Sequence, residues 1–493
     1  MRLFYLLVAS WMMISINGAA YAKHHTQKKT IARTVTRQSA SPIYGAERLR
    51  EEINYIVNAG NGNADIAVFV KSMKFGDVLY THNINQSLTP ASTIKVLTAE
   101  ASLLYLGPEY RFSTQLLTDG KTVKDGVLQG NLYVVLSGDP SLTYYDLIDL
   151  LLALKSQQIQ AIAGNVYIDN TAYDQSFYGP GWVGKDKNSC YGAPISASII
   201  NHNCLPFKMS STGRAVEVIT SPKYFYPAIK NGLTQAGRSR CSIRLSTSAS
   251  SIISIDGCMP RGRFAWGASY VVTDVPEYNR ELFKSLLSKM GVNVYGRVTF
   301  ASAPRNLSMV GQHASKPLRM LINDMLKKSD NVIAGALFKK IGQLYTRQPG
   351  SWENGSYAVS QILSKQAGVN VSGMRILDGS GISPNNLISP AQMMQVLDYA
   401  YHHYPTSYEF ISALPIAGVD GTLKGRMGNI ARKVRAKTGT ISGVVSLAGY
   451  ATSGEKEPLA FVIMVNGHKG MSWQYRSLED KIATALTRYV RTS

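Results

Sequence analysis

The sequence has only eight histidines and four cysteines among its 493 residues. No histidine belongs to a recognisable Ser-His-Asp arrangement. The cysteines contain no Cys-x-x-Cys, and His202 is the only histidine near them, so their spacing does not match a zinc site. Beyond the N-terminus, no uncharged apolar run approaches the roughly 20 residues of a membrane-spanning helix. We therefore expect no metal, no cofactor and no spanning segment in the mature chain.

Acidic residues are also scarce, since 31 Asp and Glu face 52 Lys and Arg and leave a net charge of +21. No nucleic-acid-binding motif accompanies this charge, so nucleic acid is not an expected partner. The carboxylates of peptidoglycan and anionic lipid headgroups suit it better, and simple solubility is the alternative. Residues 23–42 carry several of the cations among Ser, Thr and Gln, which indicates a flexible basic leader.

The first 22 residues have the pattern of a signal peptide. Arg2 precedes an apolar stretch over residues 3–16, and Ala20-Tyr21-Ala22 fits the small-x-small cleavage rule. An N-terminal membrane anchor is the alternative. Cleavage would export the mature protein, soluble or loosely attached to a surface.

The four cysteines agree with export, because disulfides persist in oxidising compartments. They allow three pairings. We favour the local pairing Cys190–Cys204 and Cys241–Cys258, in which each bond closes a surface loop.

The length exceeds the usual limit of a single hydrophobic core, so two or three domains are expected. Helical spacing appears at residues 46–57, 94–104, 318–325, 333–341 and 478–489, and strand patterns at 66–70, 78–80, 444–450 and 459–465. The last helix is expected to pack on the sheet, with membrane attachment as the alternative. Residues 111–304 instead show short β-type runs between Gly, Pro and Ser. We therefore expect one α/β domain formed by residues 43–110 and 305–493, interrupted by an inserted region over 111–304.

Three short motifs carry the chemistry: Ser92-Thr93-Ile94-Lys95, Ser329-Asp330-Asn331 and Lys437-Thr438-Gly439. Ser92, expected in the first turn of a helix, would be the nucleophile, and Lys95 lies one turn further on the same face. A lysine acts as a base only when burial or a nearby cation such as Lys437 lowers its pKa.

The remaining motif residues would complete such a site. Ser329 would pass the proton to the leaving amine, and Asn331 would hold the substrate amide. Thr438 and Thr440 would bind a terminal carboxylate, while the N–H groups of Ser92 and Thr440 would form an oxyanion hole. Taken singly, each motif has a purely structural alternative, such as a helix cap or a solvated strand lysine. The ordered set of three favours catalysis.

The set resembles that of penicillin-binding proteins and class A β-lactamases. The wider sequence resembles the low-molecular-mass class C penicillin-binding proteins, the D-Ala-D-Ala carboxypeptidase/endopeptidase family. The 236 residues between Ser92 and Ser329 also fit that family, whose members carry an insertion there. Further matching segments are Gly179-Pro180-Gly181-Trp182, Ala193-Pro194, Asp378-Gly379-Ser380-Gly381, Leu414-Pro415-Ile416-Ala417-Gly418, Asp420-Gly421 and Ala436-Lys437-Thr438-Gly439-Thr440.

The resemblance implies an α/β, transpeptidase-like (β-lactamase-like) domain interrupted by a mostly β insertion of two smaller domains. It implies a serine enzyme that cuts the D-Ala peptide bond of peptidoglycan stem peptides and cross-links, and that β-lactams inhibit. Asp186 and Tyr191 are implied to meet the substrate side chain, beside Thr438, Gly439 and Thr440. Pro384 and Ser442 depart from some relatives, which place arginine and glutamine in those regions.

Two other functions are kept as alternatives. A serine β-lactamase would need a deacylating carboxylate, which the sequence does not identify. A non-catalytic scaffold would bind the cell wall through its basic surface. The sequence leaves open the balance of carboxypeptidase and endopeptidase activity and the oligomeric state.

Overall fold

The computed structural model describes residues 41–60, 62, 64–212, 215–220, 229–236, 241–247, 253–260, 263–404 and 406–492. The predicted signal peptide and residues 23–40 of the predicted basic leader lie outside these ranges. The first elements are β1 (Ile43–Tyr44), α1 (Ala46–Gly60), β2 (Asp65–Ser72), β3 (Val78–His82), a 3₁₀ turn (Ala91–Ile94) and α2 (Lys95–Leu106).

The next stretch is rich in short strands. It contains β4 (Ser113–Thr118), β5 (Val123–Lys124), β6 (Val127–Leu128), β7 (Leu132–Val135), α3 (Tyr144–Ser156), β8 (Ala161–Ile162), β9 (Val166–Asp169), α4 (Gly184–Lys187), β10 (Cys204–Thr212), β11 (Val216–Thr220), β12 (Ile229–Ala236), β13 (Ile243–Thr247), β14 (Ile253–Pro260), β15 (Arg263–Val271), α5 (Val275–Lys289), β16 (Asn293–Val294) and β17 (Val298–Phe300).

The C-terminal stretch is mainly helical before its final strands. It contains β18 (Ser308–Ala314), α6 (Leu318–Lys328), α7 (Asn331–Thr346), α8 (Trp352–Ala367), α9 (Pro390–His402), α10 (Ser407–Ala413), β19 (Val434–Ile441), β20 (Val444–Thr452), β21 (Pro458–Asn466), α11 (Ser472–Arg488) and β22 (Tyr489–Val490).

The main sheet has five antiparallel strands in the order β19-β20-β21-β2-β3. It joins strands from both ends of the chain. The two central strands β20 and β21 are buried along almost their whole length, because helices cover both faces and continuous apolar runs are then favoured. Helices α1 and α11 pack on one face, and α2 and α6–α9 lie on the other. The predicted packing of the last helix on the sheet is thus present.

The strand-rich stretch has cores of its own. A mixed sheet in the order β17-β9-β7-β4-β18 packs with α3 and α5. Strand β18 pairs antiparallel with β4, so residues 308–314 lie in this sheet. Two three-stranded sheets, β11-β10-β15 and β12-β14-β13, share a small further core. We propose that these cores correspond to two inserted domains.

Local capping sets several helix starts. Ser389 accepts a hydrogen bond from the Gln392 N–H while Pro390 occupies the first position of α9. Asp330 caps α7 by accepting from the Ile333 N–H at 2.9 Å. Within the described ranges, no helix has the length and apolarity that a membrane crossing needs.

Candidate active site

The candidate nucleophile lies in a turn that the protein holds in an unusual conformation. The sequence predicts Ser92 in the first turn of the α-helix. In the structure, Ser92 lies instead in the 3₁₀ turn just before α2. Ala91 has a left-handed φ of 47°, which costs a non-glycine residue about 1 kcal/mol. A Cβ on Gly381, itself at φ +84°, would overlap the Ala91 carbonyl, so this close approach requires glycine. The loop that contains Gly381 therefore packs directly against the turn that contains Ser92.

Lys95 is fully buried beside this serine. Its Nζ lies 3.0 Å from Ser92 Oγ and 2.6 Å from Asn331 Oδ1, and it also donates to the Ser380 carbonyl. Burial lowers the pKa of Lys95 to about 7, although the charges of Asp378 and Asp330 act in the opposite direction. Near neutral pH, about half of this amine is therefore unprotonated.

The three contacts also orient the amine. An amide oxygen and a backbone carbonyl can only accept hydrogen bonds, so they take two N–H groups of neutral Lys95. The third neighbour is the Ser92 hydroxyl, which donates to the Ser380 carbonyl at 3.3 Å and can turn its proton toward the lone pair of neutral Lys95. The geometry suits proton transfer from serine to lysine.

Lys437 and Ser329 form a second buried pair. Lys437 Nζ donates to Ser329 Oγ at 2.8 Å and to the Thr438 carbonyl at 2.6 Å. Burial lowers the pKa of Lys437 well below its usual value, and the charge of Lys95 lowers it further. The repulsion between the two ammonium groups is mutual. Burial nevertheless ranks first for both lysines.

Asn331 connects the two halves of the site. Its oxygen accepts from Lys95, and its Nδ2 donates to the Tyr191 carbonyl at 2.9 Å. The Tyr191 partner fixes the orientation of the amide, because a backbone carbonyl only accepts and must therefore face Nδ2. The preceding Asp330 forms an ion pair with His202 at 3.3 Å.

Asp378 organises the loop that carries the Ser380 carbonyl. The buried carboxylate accepts from the N–H groups of Ser380, Gly381 and Ser383 at 3.1, 2.6 and 2.9 Å. It also accepts from Trp182 Nε1 at 2.6 Å. Asp378 and Ser380 belong to a segment that only the family resemblance singles out, and neither is among the predicted site residues.

Strand β19 forms the edge of the main sheet next to the nucleophile. Where described, residues 437–441 pair on one side only, with β20. A Cβ on Gly439 would overlap Ser446 Oγ and crowd the Pro90 carbonyl, so glycine lets the strand approach the nucleophile turn. Thr438 Oγ1 donates to Thr422 Oγ1 at 2.8 Å, and Thr440 is exposed. The open edge offers backbone groups to an extended peptide.

The remaining predicted residues lie beside this edge or hold the inserted region. Tyr191 is 45% exposed; burial raises the pKa of its hydroxyl, whereas hydrogen bonds with Asn331 and Ser92 lower it. Asp186 is half-buried, accepts from the Val183 N–H at 3.2 Å, and its charge acts on Tyr191. The disulfides Cys190–Cys204 and Cys241–Cys258 are both present. In the described part of the chain, no group of three His, Cys, Asp or Glu side chains could hold a metal.

Two known proteins are similar to this chain along most of its length. The D-alanyl-D-alanine carboxypeptidase DacB of Haemophilus influenzae is 33% identical over 414 residues, 82% of this chain and 86% of the relative. The D-alanyl-D-alanine carboxypeptidase of an Actinomadura species is 30% identical over 462 residues, 90% and 85% of the two chains.

Solved structures are similar to this chain over most of its length as well. The crystal structure of penicillin binding protein 4 (dacB) from H. influenzae matches with a TM-score of 0.78 at 31% identity, covering 88% of this chain and 98% of that chain. The same protein complexed with a novel β-lactam matches with a TM-score of 0.75 at 30% identity, covering 89% and 100%. The predicted fold class is thereby confirmed. A family model described as D-Ala-D-Ala carboxypeptidase 3 (S13) matches residues 49–489, so the chain belongs to this family, as its motifs predict.

Proposed function

We propose that the protein is a serine D-Ala-D-Ala carboxypeptidase and endopeptidase that acts through an acyl-enzyme on Ser92. Its substrates would be peptidoglycan stem peptides and cross-links, and β-lactams would acylate the same serine. Family membership and the names of the relatives support the reaction class. The observation that carries the assignment is the fully buried Lys95, whose Nζ lies 3.0 Å from Ser92 Oγ.

The acylation step begins with proton transfer. Neutral Lys95 takes the hydroxyl proton of Ser92 as the oxygen attacks the carbonyl carbon of the penultimate D-Ala. The oxyanion would be stabilised by the backbone N–H groups of Ser92 and Thr440, at about 3 kcal/mol per donor. No ligand beyond the peptide is needed for this step.

Collapse of the tetrahedral intermediate breaks the peptide bond. Ser329 gives its proton to the departing D-Ala amine and recovers one from Lys437, which lies 2.8 Å from its Oγ. A water then attacks the acyl carbon and returns a proton to Lys437 through Ser329, while Lys95 reprotonates Ser92. All four groups end the cycle as they began it.

Substrate selection would lie along β19 and the adjoining loop. Thr438, Thr440 and Lys437 would bind the terminal carboxylate, and Gly439 would leave room for the peptide. Asp186 and Tyr191 would meet the stem side chain. An endopeptidase reaction differs only in the leaving amine, which belongs to a neighbouring stem. Because Pro384 and Ser442 replace polar side chains of some relatives, we expect weak discrimination for a free carboxylate on that stem.

We further propose a periplasmic location. The predicted signal peptide and the two disulfides support export. Anionic lipid headgroups would attract the basic chain peripherally. Periplasmic fractionation, with release by salt as the readout for peripheral association, tests both points.

The test of function incubates the purified protein with a D-Ala-D-Ala pentapeptide and, separately, with a labelled penicillin. Release of D-Ala together with a durable label supports the peptidase. Rapid loss of the label would indicate a β-lactamase, and neither label nor release would indicate a cell-wall-binding scaffold. Ser92→Ala is the matched control, and should lose both reactions while it keeps its thermal midpoint.

A further inference from the structure

A strained turn in the inserted region contacts the second motif. Asn201, His202 and Asn203 have left-handed φ values of 50°, 59° and 49°. Three consecutive non-glycine residues in this region are unfavourable, and such strain persists only where the surroundings impose it. Here the Asn203 side chain donates to the Pro194 carbonyl at 2.9 Å, and the Asn201 side chain accepts from the Tyr144 N–H at 3.1 Å.

The turn directs His202 at the α6–α7 junction. Its Nε2 lies 3.3 Å from one carboxylate oxygen of Asp330, whose other oxygen caps α7 through the Ile333 N–H. Asp330 stands between Ser329 and Asn331 in the sequence. Those two side chains reach Lys437 and Lys95 respectively. A displacement of Asp330 would therefore disturb both lysine contacts.

The same loop holds the motif at a second point. The Tyr191 carbonyl accepts from Asn331, and Tyr191 follows Cys190, whose disulfide partner Cys204 lies two residues after His202. One disulfide-closed loop over residues 190–204 thus supplies two contacts to adjacent motif residues. The contact between His202 and Asp330 involves no group that the proposed reaction uses directly.

We propose that His202, in its charged form, is a positioning residue that fixes Asp330 and so places Ser329 and Asn331 against the two lysines. The proposal rests on the proposed acylation of Ser92, whose rate is its readout. Small misplacements of reacting groups, on the order of 1 Å, can slow a reaction up to about 100-fold. Because His202 is 40% exposed and acts through Asp330, we expect a smaller effect, roughly tenfold on its removal.

The charges around His202 determine its pH dependence. Burial lowers the pKa of His202, but the hydrogen bond to Asp330 and the charge of that carboxylate outweigh burial. On α6, Asp324 raises the pKa and Lys328 lowers it, and the net pKa is above the ordinary 6.5. The ion pair is therefore complete below the pKa of His202 and is lost as the pH rises through it. Lys95 needs the reverse change, from charged to neutral.

The experiment measures the rate constant of acylation by a fluorescent penicillin between pH 5.5 and 9.5. The wild-type rate should rise through the pKa of Lys95 and then fall about threefold above that of His202, the size expected for a partly exposed ion pair. His202→Ala should be roughly tenfold slower. His202→Gln, which keeps an uncharged N–H donor, should recover much of the rate and show no alkaline fall.

The matched control is His313→Gln, another histidine near an aspartate, with its Nε2 3.8 Å from Asp139 Oδ2 in the sheet of β4 and β18. It should keep the wild-type profile. An unacylated wild-type protein would refute the proposed function itself. The positioning role is wrong if the wild-type acylation rate rises and then stays level up to pH 9.5, without the alkaline fall. It is also wrong if His202→Ala is acylated as fast as the wild type. A His202→Gln protein as slow as His202→Ala, with an unchanged thermal midpoint, would also overturn it.

Discussion

The pH dependence of acylation should report the pKa of Lys95. A lysine with its ordinary pKa of 10.5 would be about 0.03% neutral at pH 7, whereas a pKa of about 7 makes half of it neutral. Burial thus raises the fraction of competent base roughly a thousandfold. The acylation rate should increase about tenfold per pH unit below pH 6 and bend near pH 7. Stopped-flow measurement with a chromogenic β-lactam, over short pH steps, gives the midpoint directly.

Two variants separate the causes of that midpoint. Lys437→Gln removes a lysine whose own pKa the charge of Lys95 lowers. Because such a repulsion acts on both groups, the midpoint should move upward if Lys437 is charged while Lys95 titrates. An unmoved midpoint would mean that burial alone lowers the pKa. Lys95→Arg should be nearly inactive at every pH, since guanidinium remains charged. A wild-type midpoint near 10, or a rate independent of pH, would refute Lys95 as the base.

Three further predictions concern stability and the support of the nucleophile turn. Gly381→Ala should lower the free energy of unfolding by more than about 2 kcal/mol and slow acylation, because its Cβ would overlap the Ala91 carbonyl. The control is Gly368→Ala, at φ +63° with no atom within 4 Å of the added Cβ. It should lower the free energy of unfolding, measured by chemical denaturation, by only about 1 kcal/mol and leave acylation unchanged. Glu100 is fully buried, and burial raises its pKa to about 8, so the folded protein loses stability as the pH rises from 4.5 to 8. Glu100→Gln should remove this loss, on the order of 5 kcal/mol, in unfolding measured across pH. Lys339→Met should lower the free energy of unfolding by about 3 kcal/mol, because it leaves the carboxylate of its ion-pair partner, 2.7 Å away, uncompensated.

Local patterns in the sequence predict most elements of the main α/β region. Apolar spacing over residues 46–57 predicts a helix that extends over Ala46–Gly60, and the paired β-type runs near residues 70 and 80 form antiparallel strands. The helices on either side of Ser329 also lie where their stripes indicate. These signals are local, so one sequence is enough to find them.

The supports of the site depend instead on contacts between distant residues. The turn at Ser92 is in close contact with Gly381, where a Cβ would overlap the Ala91 carbonyl. The two residues are nearly 300 positions apart, so no local pattern reveals this contact. Asp378 carries no distinctive spacing to reveal the five hydrogen bonds that it accepts. His202 appears in the sequence only as a histidine near the cysteines, because its left-handed turn is imposed by tertiary contacts. The order of the three motifs predicts the reacting groups, but it does not predict the residues that position them.

The location of the acyl group tests the central claim most directly. The protein is incubated with a penicillin, quenched in acid, digested and mapped by tandem mass spectrometry, with Ser92→Ala in parallel. We predict one adduct, with the mass of the intact penicillin, on the hydroxyl of Ser92, and none in the variant. An adduct on Ser329, or equal labelling of Ser92→Ala, would contradict it.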